Sequence, residues 1–353
     1  MKVITVAILL VAVNLISADD DFLQLIQRAG YVGEAHQVET VDGYLLKVHR
    51  ILPEHGKRQL FPVLLMHGVI TTSADYVITG PKIALAYYLA DAGYDVWLGN
   101  ARGSKHSMKH RNLSTESPEF WNFSFHEIGL YDLPAMIDYM LHTTESSKTF
   151  YVGHSQGGAA FLVCMSMLPK YNEKITQAHL LAPVSFQRNM PHPLMRAIAA
   201  KSVNGLFGNM SYINMKPMWN YSKMFCNGRQ KSFTTALCVS FVLAIVGPNK
   251  NGVELDERIL KTLLSHISPR ISVNQFVHFT QLMLSKNFES FDYRWGNFKH
   301  YNSSGPVRYA LENVISLVYI YGGSEDALVS RIVGDIKFKM QLFQKHLFPF
   351  SGS

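Results

Sequence analysis

The chain has 353 residues, 48% of them apolar and only 17% charged. It can therefore bury a sizeable core, is too apolar for intrinsic disorder, and fits one large domain with an insertion, or two domains. The formal charge is +7, but no Lys/Arg cluster interleaved with aromatics accompanies it, so no nucleic-acid partner is expected.

Residues 1–18 have the layout of a secretory signal: Lys2, an apolar stretch over 3–15, then Ser17 and Ala18 ahead of Asp19, Asp20 and Asp21. An apolar core of about 13 residues falls short of the roughly 20 that cross a bilayer, so a signal is expected rather than a stable transmembrane anchor. The expected destination is extracellular, with the lysosome as the alternative. Five Asn-x-Ser sequons, at Asn112, Asn122, Asn209, Asn220 and Asn302, agree with that route. The three cysteines show no Cys/His spacing of a zinc site, and no metal is expected. In an oxidising compartment Cys226 and Cys238 would close a short loop, the alternative being three unpaired thiols. Cys164 lies in an apolar helical pattern and reads as a buried free thiol.

Two β-rich arms around the turn Asp42-Gly43 predict a hairpin over 38–51. The apolar run 61–66 predicts a buried strand, 81–92 a helix ended by Gly93, and 94–98 the next strand. A helix is expected over 130–142, a strand over 149–152, a helix over 157–167 and a strand over 177–182. This alternation predicts an α/β fold with a mostly parallel sheet covered by helices on both faces. From about 187 to 309 the sequence is rich in Met, Phe and Asn and mostly helical in pattern. Residues 314–321 then return as a buried strand, followed by Gly322-Gly323. The expected organisation is a signal over 1–18, core over 19–186, a helical insertion over 187–309, and core again over 310–353.

The sharpest local signal is Gly153-His154-Ser155-Gln156-Gly157 between the strand at 149–152 and a helix rich in small residues. This is the G-x-S-x-G nucleophile elbow, whose serine sits on a turn too tight for bulky neighbours, so Gly153 and Gly157 are required. The bland alternative is a glycine-rich turn of a dinucleotide-binding unit, but Gly153, Gly157 and Gly158 do not give the G-x-G-x-x-G spacing. The backbone N–H of Gln156 and the start of the following helix would face the oxyanion that develops on attack by Ser155. A second donor is expected from the loop after the strand Leu64-Leu65-Met66, where Val69 is the candidate. His67 in that loop is read as a buttress in preference to a catalytic group.

Several further motifs accompany the elbow. They are Met66-His67-Gly68-Val69, Asp95-Val96-Trp97-Leu98-Gly99-Asn100-Ala101-Arg102-Gly103, Phe120-Trp121-Asn122-Phe123-Ser124-Phe125-His126-Glu127 and Tyr131-Asp132-Leu133-Pro134-Ala135. Together with Gly30-Tyr31, Glu34, His36, Thr40 and the run from Asp42 to Arg50, they resemble the acid lipase family, to which gastric and lysosomal acid lipases and many insect secreted lipases belong. The likeness runs to about Leu342. It implies an α/β-hydrolase core with a helical cap and lid over the active site. It also implies hydrolysis of triacylglycerol or cholesteryl ester at a lipid–water interface, with no metal or organic cofactor.

The family order is Ser, acid, His. Asp326, after the strand at 314–321, matches the family's acid, with Glu325 beside it as the alternative; a solvated turn carboxylate is the bland reading. The family carries its base in an Asn-His motif beyond one more helix and one more strand. Here 331–347 reads as that helix and His346 is the histidine that follows Asp326, so His346 is the base candidate. The resemblance then implies a core without its C-terminal strand and helix. Two functions follow: a secreted serine ester hydrolase acting on neutral lipids, or a catalytically inactive lipid-binding protein on the same scaffold.

Overall fold

The computed structural model describes residues 21–53, 58–185, 187, 193–202, 206–217 and 257–322. Seven strands form the central sheet: β1 (Gly33–Glu39), β2 (Leu45–Ile51), β3 (Val63–Met66), β4 (Val96–Gly99), β5 (Thr149–His154), β6 (Ile175–Leu181) and β9 (Val318–Tyr321). Their order is β1-β2-β4-β3-β5-β6-β9. β1 and β2 form the antiparallel hairpin around Gly43, and β2 meets β4 antiparallel. From β4 to β9 every pairing is parallel. The fold is an α/β-hydrolase-type sheet with helices on both faces.

The period of two in a strand explains how both faces are covered. Leu64 and Met66 of β3, Trp97 of β4 and Tyr151 of β5 point into one core, shared with α4 (Leu133–Thr144) and α5 (Gln156–Met167). Val63 and Leu65, Val96 and Leu98, and Val152 point into the other, shared with α1 (Asp21–Arg28) and α2 (Leu85–Asp91). Cys164 of α5 is free and buried, and burial pushes its thiol pKa up, so it behaves as a small apolar side chain.

Several element boundaries differ from the expected ones, the hairpin beginning at Gly33 and not at residue 38, and β6 at Ile175 and not at residue 177; three further differences have a local reason. The amides of Ile83 and Ala84 turn back onto the Gly80 carbonyl, so α2 starts at Leu85 and not at residue 81. A short helical turn, α3 (Phe125–Glu127), passes through a wide turn over Ile128–Asp132 before α4 begins. The Asn172 side-chain oxygen accepts the amides of Ile315 and Ser316 at 3.0 and 3.1 Å, which diverts 314–317 from the sheet and shortens β9 to Val318–Tyr321.

Between β6 and β9 the described residues form α6 (Pro193–Ser202), β7 (Tyr212–Asn214), α7 (Glu257–His266), β8 (Arg270–Ser272), α8 (Val273–Ser285) and α9 (Asn297–Tyr301). β7 and β8 pair as a two-stranded antiparallel ribbon that the mostly helical pattern did not announce. The Ser272 hydroxyl at the end of this ribbon lies 2.7 Å from the carbonyl oxygens of both Trp121 and Phe123, which ties the insertion to the core. Among the described residues no helix is long and apolar enough to cross a membrane.

Candidate active site

β5 ends at His154 and α5 begins at Gln156, leaving Ser155 alone to reverse the chain direction. Ser155 does so with φ +51° and ψ −111°, a conformation that costs an L-residue of order 1–3 kcal/mol. The surrounding structure holds it there. The Ser155 amide donates to the Leu181 carbonyl at 2.8 Å, and the Ser155 carbonyl accepts the amides of Gly158 and Ala159 at 3.1 and 3.3 Å. The Tyr151 hydroxyl donates to the Gly157 carbonyl at 2.7 Å, which fixes the first turn of α5 from below.

The glycines are a matter of space. A Cβ on Gly157 would stand 2.4 Å from the Met66 carbonyl oxygen, and one on Gly153 would stand 2.7 Å from the backbone of Gly157. Strand β3 and the start of α5 therefore approach backbone to backbone. The same approach brings the loop after β3 to the serine: a Cβ on Gly68 would lie 3.5 Å from Ser155 Cβ.

His67 opens that loop and is buried. Its Nε2 accepts the Ala101 amide at 3.1 Å, so its Nδ1 carries the proton and donates to the Gly68 carbonyl at 2.6 Å. Burial holds its pKa below the usual histidine value, which keeps the ring neutral and this pattern intact. Both ring nitrogens are thus spent on backbone, and His67 braces the loop. The Tyr76 hydroxyl donates to the Met66 carbonyl at 2.9 Å, and the Asn100 side-chain oxygen accepts the Ser73 amide at 3.0 Å. Val69 and Gln156 line one small cavity beside this loop.

A serine on a strained strand-to-helix turn, flanked by a braced loop after the neighbouring parallel strand, is the geometry of acyl transfer. Comparison with known proteins agrees. Residues 62–213 match the family model for the alpha/beta hydrolase fold, and residues 22–80 match the model for a partial alpha/beta-hydrolase lipase region. The chain is 40% identical to Lipase 1 of Drosophila melanogaster, over 86% of this chain and 67% of that one. It is 34% identical to the gastric triacylglycerol lipase of Bos taurus, over 86% of this chain and 78% of that one. With the lysosomal acid lipase/cholesteryl ester hydrolase of Rattus norvegicus the identity is 32%, over 88% and 79%. The chain belongs to the acid lipase family. Among solved structures, a candidate lipase from Sulfolobus solfataricus shares the fold, with a TM-score of 0.52 at 13% identity over 82% of this chain and 79% of that one.

In this family member the motif Asn100-Ala101-Arg102-Gly103 has a structural reason that its sequence alone does not disclose. Arg102 is buried, and its Nε donates to Asp132 at 2.7 Å while its two terminal nitrogens donate to Asp42 at 2.6 and 2.9 Å. The Arg102 amide also donates to Asp132, and the guanidinium lies 4.0 Å over the Tyr44 ring. This fixes the chain next to Ala101, whose amide holds His67. Tyr76, Asn100 and the Arg102–Asp132–Asp42 group are the site supports that motif reading missed. Their signal was present, since all but Tyr76 lie in motifs already singled out, but their partners are 30 or more residues away in sequence for Arg102 and 27 for Asn100.

Asp326, its neighbour Glu325, His346, Cys226, Cys238 and Asn220 lie outside the described residues. The strand that leads to Asp326 is described. β9 runs parallel to β6 with Tyr321 opposite Leu181, and β6 runs parallel to β5 with Leu181 opposite His154. The chain therefore leaves β9 at the same sheet edge as Ser155, two strands away. Asn112, Asn122, Asn209 and Asn302 are all exposed. Among the described residues no group of three His, Cys, Asp or Glu side chains is arranged to hold a metal ion.

Proposed function

We propose that this chain hydrolyses neutral lipid esters, triacylglycerol or cholesteryl ester, through an acyl-enzyme on Ser155. The observation that carries this reading is the φ of +51° at Ser155, on a turn with the loop of Gly68 packed against its Cβ. Ser155 Oγ attacks the ester carbonyl carbon and its proton passes to a histidine base. The carbonyl oxygen becomes an oxyanion in front of the backbone N–H groups of Val69 and Gln156, at the positive end of α5. Collapse of the tetrahedral adduct breaks the bond to the alcohol oxygen, which takes the proton from the base. Water then attacks the acyl-enzyme by the same route, releasing the fatty acid and returning the proton to Ser155.

In this reading Asp326 orients the base, and His346 fills the base position in the order Ser, acid, His. Residues 187–309 act as the cap, with apolar side chains for the acyl chain and a lid that moves at a lipid surface. Residues 1–18 direct secretion, Asn112, Asn122, Asn209, Asn220 and Asn302 are the candidate glycan sites, and Cys226 pairs with Cys238.

Hydrolysis of emulsified triacylglycerol and cholesteryl ester by the full chain and by Ser155→Ala tests the reading. Loss of the nucleophile is expected to lower turnover by about a million-fold, to background. Turnover that survives Ser155→Ala would contradict it.

A further inference from the structure

The cavity that Val69 and Gln156 share is lined by polar and apolar groups alike, and two of its lining residues carry a buried polar atom with no partner in the protein. Its volume is ≈ 10 Å³, and one water needs roughly 10–15 Å³. His67, Arg102 and Ser268 also line it, and each spends its polar atoms on protein groups: His67 on Ala101 and Gly68, Arg102 on Asp42 and Asp132, Ser268 on the Lys105 amide and the Thr71 carbonyl. Arg270, spent on Glu116 and the Thr115 carbonyl, and Gln275 line it too. Among the lining residues, Gln156 Oε1 and Ser104 Oγ are the buried side-chain atoms with no hydrogen-bond partner. Gln156 is 2% exposed and Ser104 is 5% exposed, and neither atom has a hydrogen-bond partner. Leaving a buried polar atom unpaired costs about 1–3 kcal/mol. Two such atoms on residues that line one water-sized space beside the Ser155 turn call for a shared guest.

We propose that this cavity is a subsite for one hydroxyl-sized group that donates to Gln156 Oε1 and pairs with Ser104 Oγ. The guest is either a bound water or the free hydroxyl of a partial glyceride, the product of a first hydrolysis, since triacylglycerol and cholesteryl ester carry no free hydroxyl; the two guests have the same chemistry. Gln156 is the first residue of α5, so a guest that anchors its side chain also fixes the direction of its backbone N–H. Ser104 and the Gln156 side chain are thus positioning residues for the oxyanion donors. This inference rests on the Ser155 reading above and deepens it.

The test compares the full chain with Ser104→Ala and Gln156→Met, which remove the polar atoms with little change in volume. A monoacylglycerol and the methyl ester of the same fatty acid serve as substrates, and melting temperature is measured alongside. If the guest is water, kcat falls about five- to tenfold on both esters with KM unchanged, and both variants melt lower. If the guest is the substrate's hydroxyl, the loss is confined to the monoacylglycerol and appears in KM. Unchanged kinetics on both esters overturns the inference, whatever the melting temperatures do. Ser155→Ala is the control for the underlying reading. Should that variant match the parent, the Ser155 reading fails and melting alone decides: lower melting in both variants supports the subsite, and equal or higher melting overturns it, because removing unpaired buried groups does not destabilise.

Discussion

The turn that carries Ser155 and the seat of helix α8 are held by different forces. The Ser155 turn is fixed by backbone atoms in close approach, with Gly157 against the Met66 carbonyl and Gly153 against Gly157. The seat of α8 is fixed by side chains. His278 is buried, stacks on Phe125 at 3.8 Å between ring centroids, and has Nδ1 2.9 Å from the Ser124 hydroxyl and Nε2 2.9 Å from the Glu289 carbonyl. His126 beside it is buried as well, with Nδ1 2.8 Å from the Tyr309 hydroxyl. A site set by backbone packing tolerates no added atom, whereas a seat set by neutral imidazoles is exposed to pH. The Ser155 turn is thus built for fixed geometry, and the segment between β6 and β9 is docked by groups that acid can charge.

The largest effect that separates the two regions is expected from Gly157→Ala. The added methyl must displace the Met66 carbonyl, so hydrolysis should fall by about 100-fold or more, because a displacement near 1 Å in a catalytic group costs that much. Assay of turnover against melting shows whether geometry is lost before stability. His278→Ala acts the other way. It should lower stability by about 2–4 kcal/mol, from the cavity and from the unpaired Glu289 carbonyl, as read by denaturant unfolding.

The pH dependence sharpens the contrast. Burial pulls the pKa of His278 down to about 3 and lowers that of His126. Each takes up its proton more readily in the unfolded chain, where histidine titrates near its usual value of about 6.5, so the unfolded state binds more protons in between. The stability these groups preserve is complete above about pH 6.5 and is lost as the pH falls below it, by up to about 1.4 kcal/mol per pH unit for each histidine, the loss from His278 continuing down to about pH 3. Glu127 opposes the shift of His126, while His300 adds to it, and His126 in turn adds to that of His278. His67 has the same sign beside the Ser155 turn. His278→Phe should therefore flatten the acid limb of an unfolding titration without abolishing it. The smallest effect is expected at Glu116, whose carboxylate pairs with Arg270 at the surface. Glu116→Ala should leave both hydrolysis and melting unchanged, since exposed pairs contribute little.

Much of the fold could be read from the sequence wherever a local rule decided the outcome. Val63–Met66 and Val96–Gly99 are buried on both faces and appear as continuous apolar runs. Gly153 to Gly157 shows itself because the turn needs small residues at fixed spacing. What stayed hidden depends on distant partners. β7 and β8 are three residues each, too short for a period to register, and they are held by Ser272 reaching the carbonyls of Trp121 and Phe123. The early part of the expected strand at 314–321 is taken by Asn172, from a turn more than 140 residues earlier. His67 could be read as a buttress from its place after β3, but the Ala101 amide that it accepts, 34 residues away, could not be read as its partner. For the acid and the base, the sequence order Ser155, Asp326, His346 is the argument, and β9 supplies only the direction from which Asp326 arrives.

The central claim is that Ser155 carries an activated hydroxyl at the end of β5. Incubation of the full chain with a fluorophosphonate probe, followed by peptide mapping, measures that property directly. The account predicts one modified residue, Ser155, with labelling lost in Ser155→Ala and in His346→Ala. Absence of any adduct on the parent chain, or an adduct that persists in Ser155→Ala, would contradict it.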